Sequence, residues 1–176
     1  MRSLSCYKEG CDFITQSEGK KFENDFKQSV PNNCWIYRLR DNASSFSGGN
    51  NTRFASSNIC DYILLDDDSK TLYLLELKST KSTSIPLSMI RQNQIDGLLE
   101  ASKHMLKAGI ITNFRNENND TFFISIDNFL DMINNICKKS FSIKDLENAN
   151  AVRIYSSKKR IRYRYDIDKF IKGVHL

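Results

Sequence analysis

At 176 residues the chain is long enough to enclose one substantial core and too short for two ordinary domains. Hydrophobic residues make up 40% and charged residues 27%, and no apolar run approaches the ~18 residues of a membrane span, so a soluble globular protein without a membrane partner is expected. The net charge of +5 is concentrated late, in Arg153, Lys158, Lys159, Arg160, Arg162 and Arg164. That favours a polyanionic partner, although on charge alone a solvated basic face fits as well.

The first residues, Met1-Arg2-Ser3-Leu4-Ser5-Cys6, lack the apolar stretch of a secretory signal, which points to a cytoplasm and reduced thiols. The cysteines Cys6, Cys11, Cys34, Cys60 and Cys137 are odd in number and include no CxxC pair, arguing against a disulfide framework or a tetrahedral zinc site. Residues 1–16 form a lead without assigned structure, and 17–176 are expected to form one domain.

Ser17 is positioned to cap a helix whose apolar residues Phe22, Phe26 and Val30 form one stripe, and Pro31 ends it. Residues 35–39 read as a first strand, and the Ser-, Asn- and Gly-rich stretch 42–58 as a mobile loop. Residues 59–65 and 71–78, joined by the polar stretch Asp66-Asp67-Asp68-Ser69, have the spacing of an antiparallel hairpin. From 86 to 109 the apolar residues Leu87, Ile90, Ile95, Leu98, Leu99 and Met105 return to helical spacing, with Gly109 as the stop and a strand over 110–114. A turn at 116–120, a strand over 121–126 and a helix over 129–137 capped by Asp127 complete the expected sheet. A terminal module follows: a helix over 142–148, strands over 152–155 and 161–165 flanking the basic turn Ser156-Ser157-Lys158-Lys159, and a last helix over 168–172.

Asp61, Glu76 and Lys78 fall in the two strands that should be most buried, where charge is costly unless paired or bound to metal. A turn centred on Asp67-Asp68 pairs Asp61 with Leu74 and puts Asp61, Glu76 and Lys78 on one sheet face, with Glu76 diagonal to Asp61. Two carboxylates at that separation can hold a hard cation such as Mg²⁺ while the ammonium orients an attacking water, which is what hydrolysis of a phosphodiester requires. A solvated surface hairpin is the bland alternative, and the apolar residues on both strand faces weigh against it. Gln94 lies on the apolar stripe with Leu98, Ala101 and Met105, as a core glutamine bonded to backbone or as a participant in chemistry. Glu23, beside the Phe22 stripe, reads as an exposed helix charge or as a carboxylate aimed at the metal centre, and periodicity alone favours exposure.

The order helix with Glu23, strand, hairpin with Asp61 and Glu76-Leu77-Lys78, helix with Gln94 resembles the αβββαβ core of the PD-(D/E)xK nucleases. More narrowly, Gly19-Lys20-Lys21-Phe22-Glu23-Asn24-Asp25, Asp61-Tyr62, Glu76-Leu77-Lys78-Ser79-Thr80, Ile85-Pro86-Leu87 leading to Gln94-Ile95, and the final Tyr165-Asp166-Ile167-Asp168 resemble stretches of RecU-type Holliday-junction resolvases. The resemblance implies an α/β restriction-endonuclease-like fold: a mixed central sheet flanked by helices, with a catalytic core over 17–137 and a basic hairpin and helix over 138–176. It also implies Asp61, Glu76 and the Leu77 carbonyl as metal ligands, Glu23 as an accessory carboxylate, Lys78 as the water-orienting lysine and Gln94 as a helper. Mg²⁺, replaceable by Mn²⁺, is the implied cofactor, four-way junction DNA the substrate, and a homodimer the working unit, in a bacterial cell or encoded by a phage acting in its host's cytoplasm. Arg40, Arg53, Lys81, Arg91, Lys158, Lys159, Arg160 and Arg162 are the expected DNA contacts. The 42–58 loop is shorter than the projecting stalk of that family, and residues 1–16 match none of its segments. A restriction-like or repair endonuclease acting on linear duplex, and a non-catalytic nucleic-acid binder using Tyr155, Tyr163 and Tyr165, are the rival readings.

Overall fold

A computed structural model describes residues 17–39 and 58–174; the expected 42–58 loop, Arg40, Arg53, Cys6 and Cys11 lie outside the described residues, Asn58 excepted. Helix α1, Glu18–Ser29, is capped by Ser17, whose hydroxyl accepts from the Lys20 N–H, and buries the expected Phe22 and Phe26. Strands β1 (Cys34–Arg38), β2 (Tyr62–Asp66) and β3 (Thr71–Thr80) follow as an antiparallel meander. A short strand β4, Ser84–Pro86, and a 3₁₀ turn, Leu87–Met89, lead into α2, Gln92–Lys103, and then β5, Lys107–Phe114, which runs parallel to β3. This is the αβββαβ order in full.

Strand β6, Asp120–Ser125, and helix α3, Ile126–Asn135, come next, followed by β7 (Ser140–Ser142), α4 (Ile143–Asn148), β8 (Val152–Arg153), β9 (Ser156–Lys159), β10 (Arg162–Tyr165) and α5 (Ile167–Val174). The central sheet is mixed, in the order β1-β2-β3-β5-β6-β8. Helices cover both faces. Leu74, Ala108, Ile110, Phe122 and Ile124 face α2 and α3, whereas Tyr73, Leu75, Leu77, Ile111 and Phe123 face α1 and α5.

Several expected boundaries move, each for a local reason. The hairpin turn sits one residue later than expected: Tyr62 pairs with Leu75 and Asp66 with Thr71, so Asp61, just before β2, lies opposite Glu76 and not Leu74. The cause is Asp66, which belongs to the strand and closes the turn by accepting from the N–H groups of Asp68 and Ser69 and the Ser69 hydroxyl. Gly109 does not stop α2. The helix ends at Lys103, Met105 makes the exit at φ 66, and Met105 is exposed, not part of the buried stripe. Gly109 lies inside β5, where an added Cβ would meet the Ile124 carbonyl oxygen at 2.3 Å, a close approach only glycine permits.

Helix α3 starts three residues before the expected 129 and is capped by Ser125, not Asp127. The sheet is not complete before the terminal module, because β8 adds to it through Phe122↔Arg153 and Phe123↔Val152. Lys158 and Lys159 lie in β9, not in a turn; the reversal falls at Arg160 and Ile161, with Arg160 at φ 47. The β9–β10 hairpin is tied to α1 by the buried Asp25 carboxylate, which accepts from Arg162 Nε at 2.5 Å and from the Tyr163 N–H, and by Ser29, which accepts from the Tyr165 N–H.

Candidate active site

Strand alternation decides which charges meet. In β3 the residues 74, 76 and 78 face α2, and the antiparallel register brings Asp61 to the same face at the start of β2. Asp61 is held through its backbone and its side chain: its N–H donates to the Leu75 carbonyl, its carbonyl accepts from Leu39 N–H at 2.9 Å, and its Oδ2 accepts from Leu77 N–H at 2.8 Å. That last bond continues the β2–β3 ladder beyond Tyr62 with a side chain, so the carboxylate points along β3 at Glu76.

Glu76 is 1% exposed. Its Oε1 receives both Lys78 Nζ at 2.5 Å and Gln94 Nε2 at 2.7 Å, while its Oε2 is buried with no hydrogen-bond partner among the described residues. A buried carboxylate oxygen without a donor is costly, and it is a position suited to a cation. Burial, reinforced by the Asp61 charge, pushes the Glu76 carboxyl up to about 7, against the lowering by Lys78 and Gln94.

Gln94 bonds to backbone, as a core glutamine would, and also meets Glu76. Its Oε1 accepts from the Arg91 N–H at 3.0 Å, closing the first turn of α2. With the amide oxygen committed there, only the NH₂ end can face Glu76, so helix start and carboxylate are held by one side chain. Gln94→Leu removes both contacts with little change in volume. If a divalent cation binds at Glu76, its binding should weaken by about 10- to 100-fold, read from titration of its effect on the melting temperature. An unchanged metal titration would reduce Gln94 to a helix cap.

Of the remaining expected site residues, Leu77 adjoins the pair through its bond to Asp61 and Glu23 is not gathered there. Glu23 lies on α1, across the sheet at the same end, where its Oε2 accepts from Arg38 Nε at 3.2 Å and pairs with Nη2 at 3.1 Å. Arg38 has no sequence pattern of its own that marks it. No group of three or more His, Cys, Asp or Glu is arranged around a metal among the described residues, so any ion at Asp61 and Glu76 must complete its shell with carbonyl, water or substrate oxygens. Cys60, beside the pair, is buried, and burial pushes its thiol up to about 12, leaving it neutral.

The family model for recombination protein U matches residues 28–169, a span holding β1 to β10 and the Asp61, Glu76, Lys78 and Gln94 group. The chain belongs to the RecU family. The SPbeta prophage-derived uncharacterized protein YotM of Bacillus subtilis (strain 168) is 29% identical over 170 residues, covering 87% of this chain and 84% of that protein. The structure of Hjc, a Holliday junction resolvase from the archaeal hyperthermophile Archaeoglobus fulgidus, matches with a TM-score of 0.48 at 13% identity, covering 77% of this chain and 95% of that one.

Of the expected DNA contacts in this RecU-family chain, Lys81, Arg91, Lys158, Lys159 and Arg160 are exposed. Arg162 instead serves the Asp25 ion pair. Tyr165, one of the aromatics of the non-catalytic reading, is buried, with its hydroxyl accepting from Asn119. No described helix is long and apolar enough to cross a membrane.

Proposed function

We propose that this RecU-family protein is a divalent-metal-dependent endonuclease that resolves four-way DNA junctions, acting as a homodimer in the cytoplasm of a bacterium or of a phage's host. The observation that supports the metal-dependent chemistry is the divided state of Glu76: one oxygen saturated by Lys78 and Gln94, the other buried without a donor among the described residues. Asp61 and Glu76 Oε2 are the proposed ligands of Mg²⁺ or Mn²⁺, joined by the Leu77 carbonyl. In an extended strand a residue's N–H and C=O point to the same side, and the Leu77 N–H is bonded to Asp61. These are hard oxygen donors, few enough to leave room for water and substrate.

Bound there, the ion would supply a more acidic water and polarise the scissile phosphate. Lys78 reaches the same site from Glu76 Oε1, placed to orient the attacking water or offset the charge that develops on the phosphate. Gln94 keeps Glu76 in place, and Glu23 acts as an accessory carboxylate only through Arg38. Lys81, Arg91, Lys158, Lys159 and Arg160 offer exposed cations for phosphates. A homodimer follows from the substrate: two symmetry-related strands need two sites.

Synthetic four-way, nicked and linear DNA, incubated with Mg²⁺, Mn²⁺ or EDTA, tests the proposal. Paired cuts in the four-way junction with either metal, and none in EDTA, are expected. Equal cleavage of linear duplex would favour the restriction-like reading, and no cleavage of any DNA with either metal would reject a nuclease.

A further inference from the structure

The sheet end that carries Asp61, Glu76 and Lys78 also gathers three cations around one carboxylate, on the α1 side. Glu18, the first residue of α1, accepts from Lys21 Nζ at 2.6 Å and lies 3.9 Å from Arg115 Nη1. Arg115 follows β5, and its N–H donates to the Thr80 carbonyl at 2.8 Å, fixing it beside β3 two residues, roughly 7 Å, beyond Lys78. Lys81 follows Thr80 and adds its charge. Together they hold the Glu18 carboxyl below the usual range, first through the Lys21 hydrogen bond and charge, then through Arg115 and Lys81. Three separate elements thus supply the cations: α1, the end of β3 and the end of β5.

The contacts are unequal in a way that a purely structural ion pair does not explain. Glu18 is half-exposed, at 46%, and only loosely engaged by Arg115. Arg115 is 23% exposed, and its Nε is buried with no partner among the described residues. A guanidinium presents a planar fork of donors suited to two oxygens at once, and a phosphodiester carries the same charge as a carboxylate with that geometry. The basic tip of the β9–β10 hairpin extends toward the same place. Arg162 and Tyr163 meet Asp25 and Tyr165 meets Ser29, so going back along β10 toward Arg160 leads to the start of α1.

We infer that Glu18 is a place-holder for a backbone phosphate of the nucleic-acid substrate: in the free protein it occupies the Lys21, Lys81 and Arg115 cluster, and a phosphate displaces it on binding. The inference rests on the nuclease reading for its substrate class and adds the phosphate site. Glu18 offsets part of the mutual repulsion of the three cations, and because exposed ion pairs are weak its displacement costs little. It also lowers the affinity for any anion, so the site fills when the rest of the DNA is engaged.

The test is binding of labelled four-way and linear DNA by fluorescence anisotropy in EDTA, across a salt titration, with the full chain. Glu18→Gln, an exposed and isosteric change, is expected to tighten binding roughly three- to fivefold. It should also steepen the dependence of log affinity on log salt. Arg115→Ala should weaken binding by roughly tenfold or more. Its salt slope should fall by about one, and Arg115→Lys should recover part of the affinity with a wild-type melting temperature. Glu18→Gln added to Arg115→Ala should lose most of its gain. Wild-type affinity and slope in Glu18→Gln would overturn the inference, and weaker binding in that variant would make Glu18 a support for the cations and overturn it too. If the wild type cleaves DNA while these outcomes fail, the phosphate site alone is wrong; if the wild type neither binds nor cleaves DNA, the nuclease reading falls with it.

Discussion

Asp61→Asn and Glu76→Gln are each expected to lower the rate of DNA cleavage by roughly 10³-fold or more while leaving DNA binding in EDTA close to wild type. Glu76 meets Lys78 and Gln94, Asp61 accepts from the Leu77 N–H, and neither belongs to the exposed basic surface that would meet phosphates. Binding and chemistry should therefore separate. In Glu76→Gln the amide keeps the shape, but its one oxygen must stay where Oε1 accepts from Lys78 and Gln94, leaving an NH₂ where the buried Oε2 now lies, so stabilisation of the fold by Mg²⁺ or Mn²⁺ should vanish along with activity. In Asp61→Asn a side-chain oxygen can still accept from the Leu77 N–H, so the strand junction should survive and the melting temperature without metal should stay near wild type. A metal-dependent rise in melting temperature that persists in both variants would remove these two residues as ligands.

Lys78→Ala should slow cleavage by roughly 10²- to 10³-fold under saturating DNA, because in the proposed mechanism the lost ammonium would act on the reacting water or on charge that develops only in the transition state. Its neighbourhood predicts a second effect that separates this role from metal binding. Lys78 Nζ is the cation now bonded to Glu76 Oε1, at 2.5 Å, and it is 15% exposed. Its removal leaves the buried carboxylate dependent on an added cation, so the melting temperature should rise more with Mg²⁺ in Lys78→Ala than in the wild type. Full activity in Lys78→Ala, or loss of metal stabilisation together with activity, would assign the ammonium a structural task instead.

The features legible from sequence are those that depend on period. The Phe22 and Phe26 stripe locates α1, and the two-residue alternation of strands puts Asp61, Glu76 and Lys78 on one face. That result survives the error in register because the true pairing differs from the expected one by two in the sum of partner numbers, which preserves parity. The error itself came from Asp66, whose carboxylate closes the turn from within the strand; three consecutive aspartates offer no local signal of which one does so. Gly109 misled for a similar reason: a glycine after an apolar helix usually marks its end, and here it answers to the Ile124 carbonyl of a strand that is distant in sequence.

By itself, then, the sequence determined the order of the core helices and strands from α1 to β5, the shared face of the Asp61, Glu76 and Lys78 charges, the stripe position of Gln94 and the basic character of residues 158–160, because each follows from side-chain spacing or composition along a continuous segment. Only the tertiary structure decided that Asp61 lies opposite Glu76, that Gln94 spans the α2 start and Glu76, that Glu23 is taken by Arg38, that Arg162 holds Asp25, and that β8 completes the sheet. Those outcomes depend on which of several available partners a long polar side chain meets. That choice is made by elements packed from distant parts of the chain, where burial leaves a charge or an amide no cheaper alternative than the one donor or acceptor within reach.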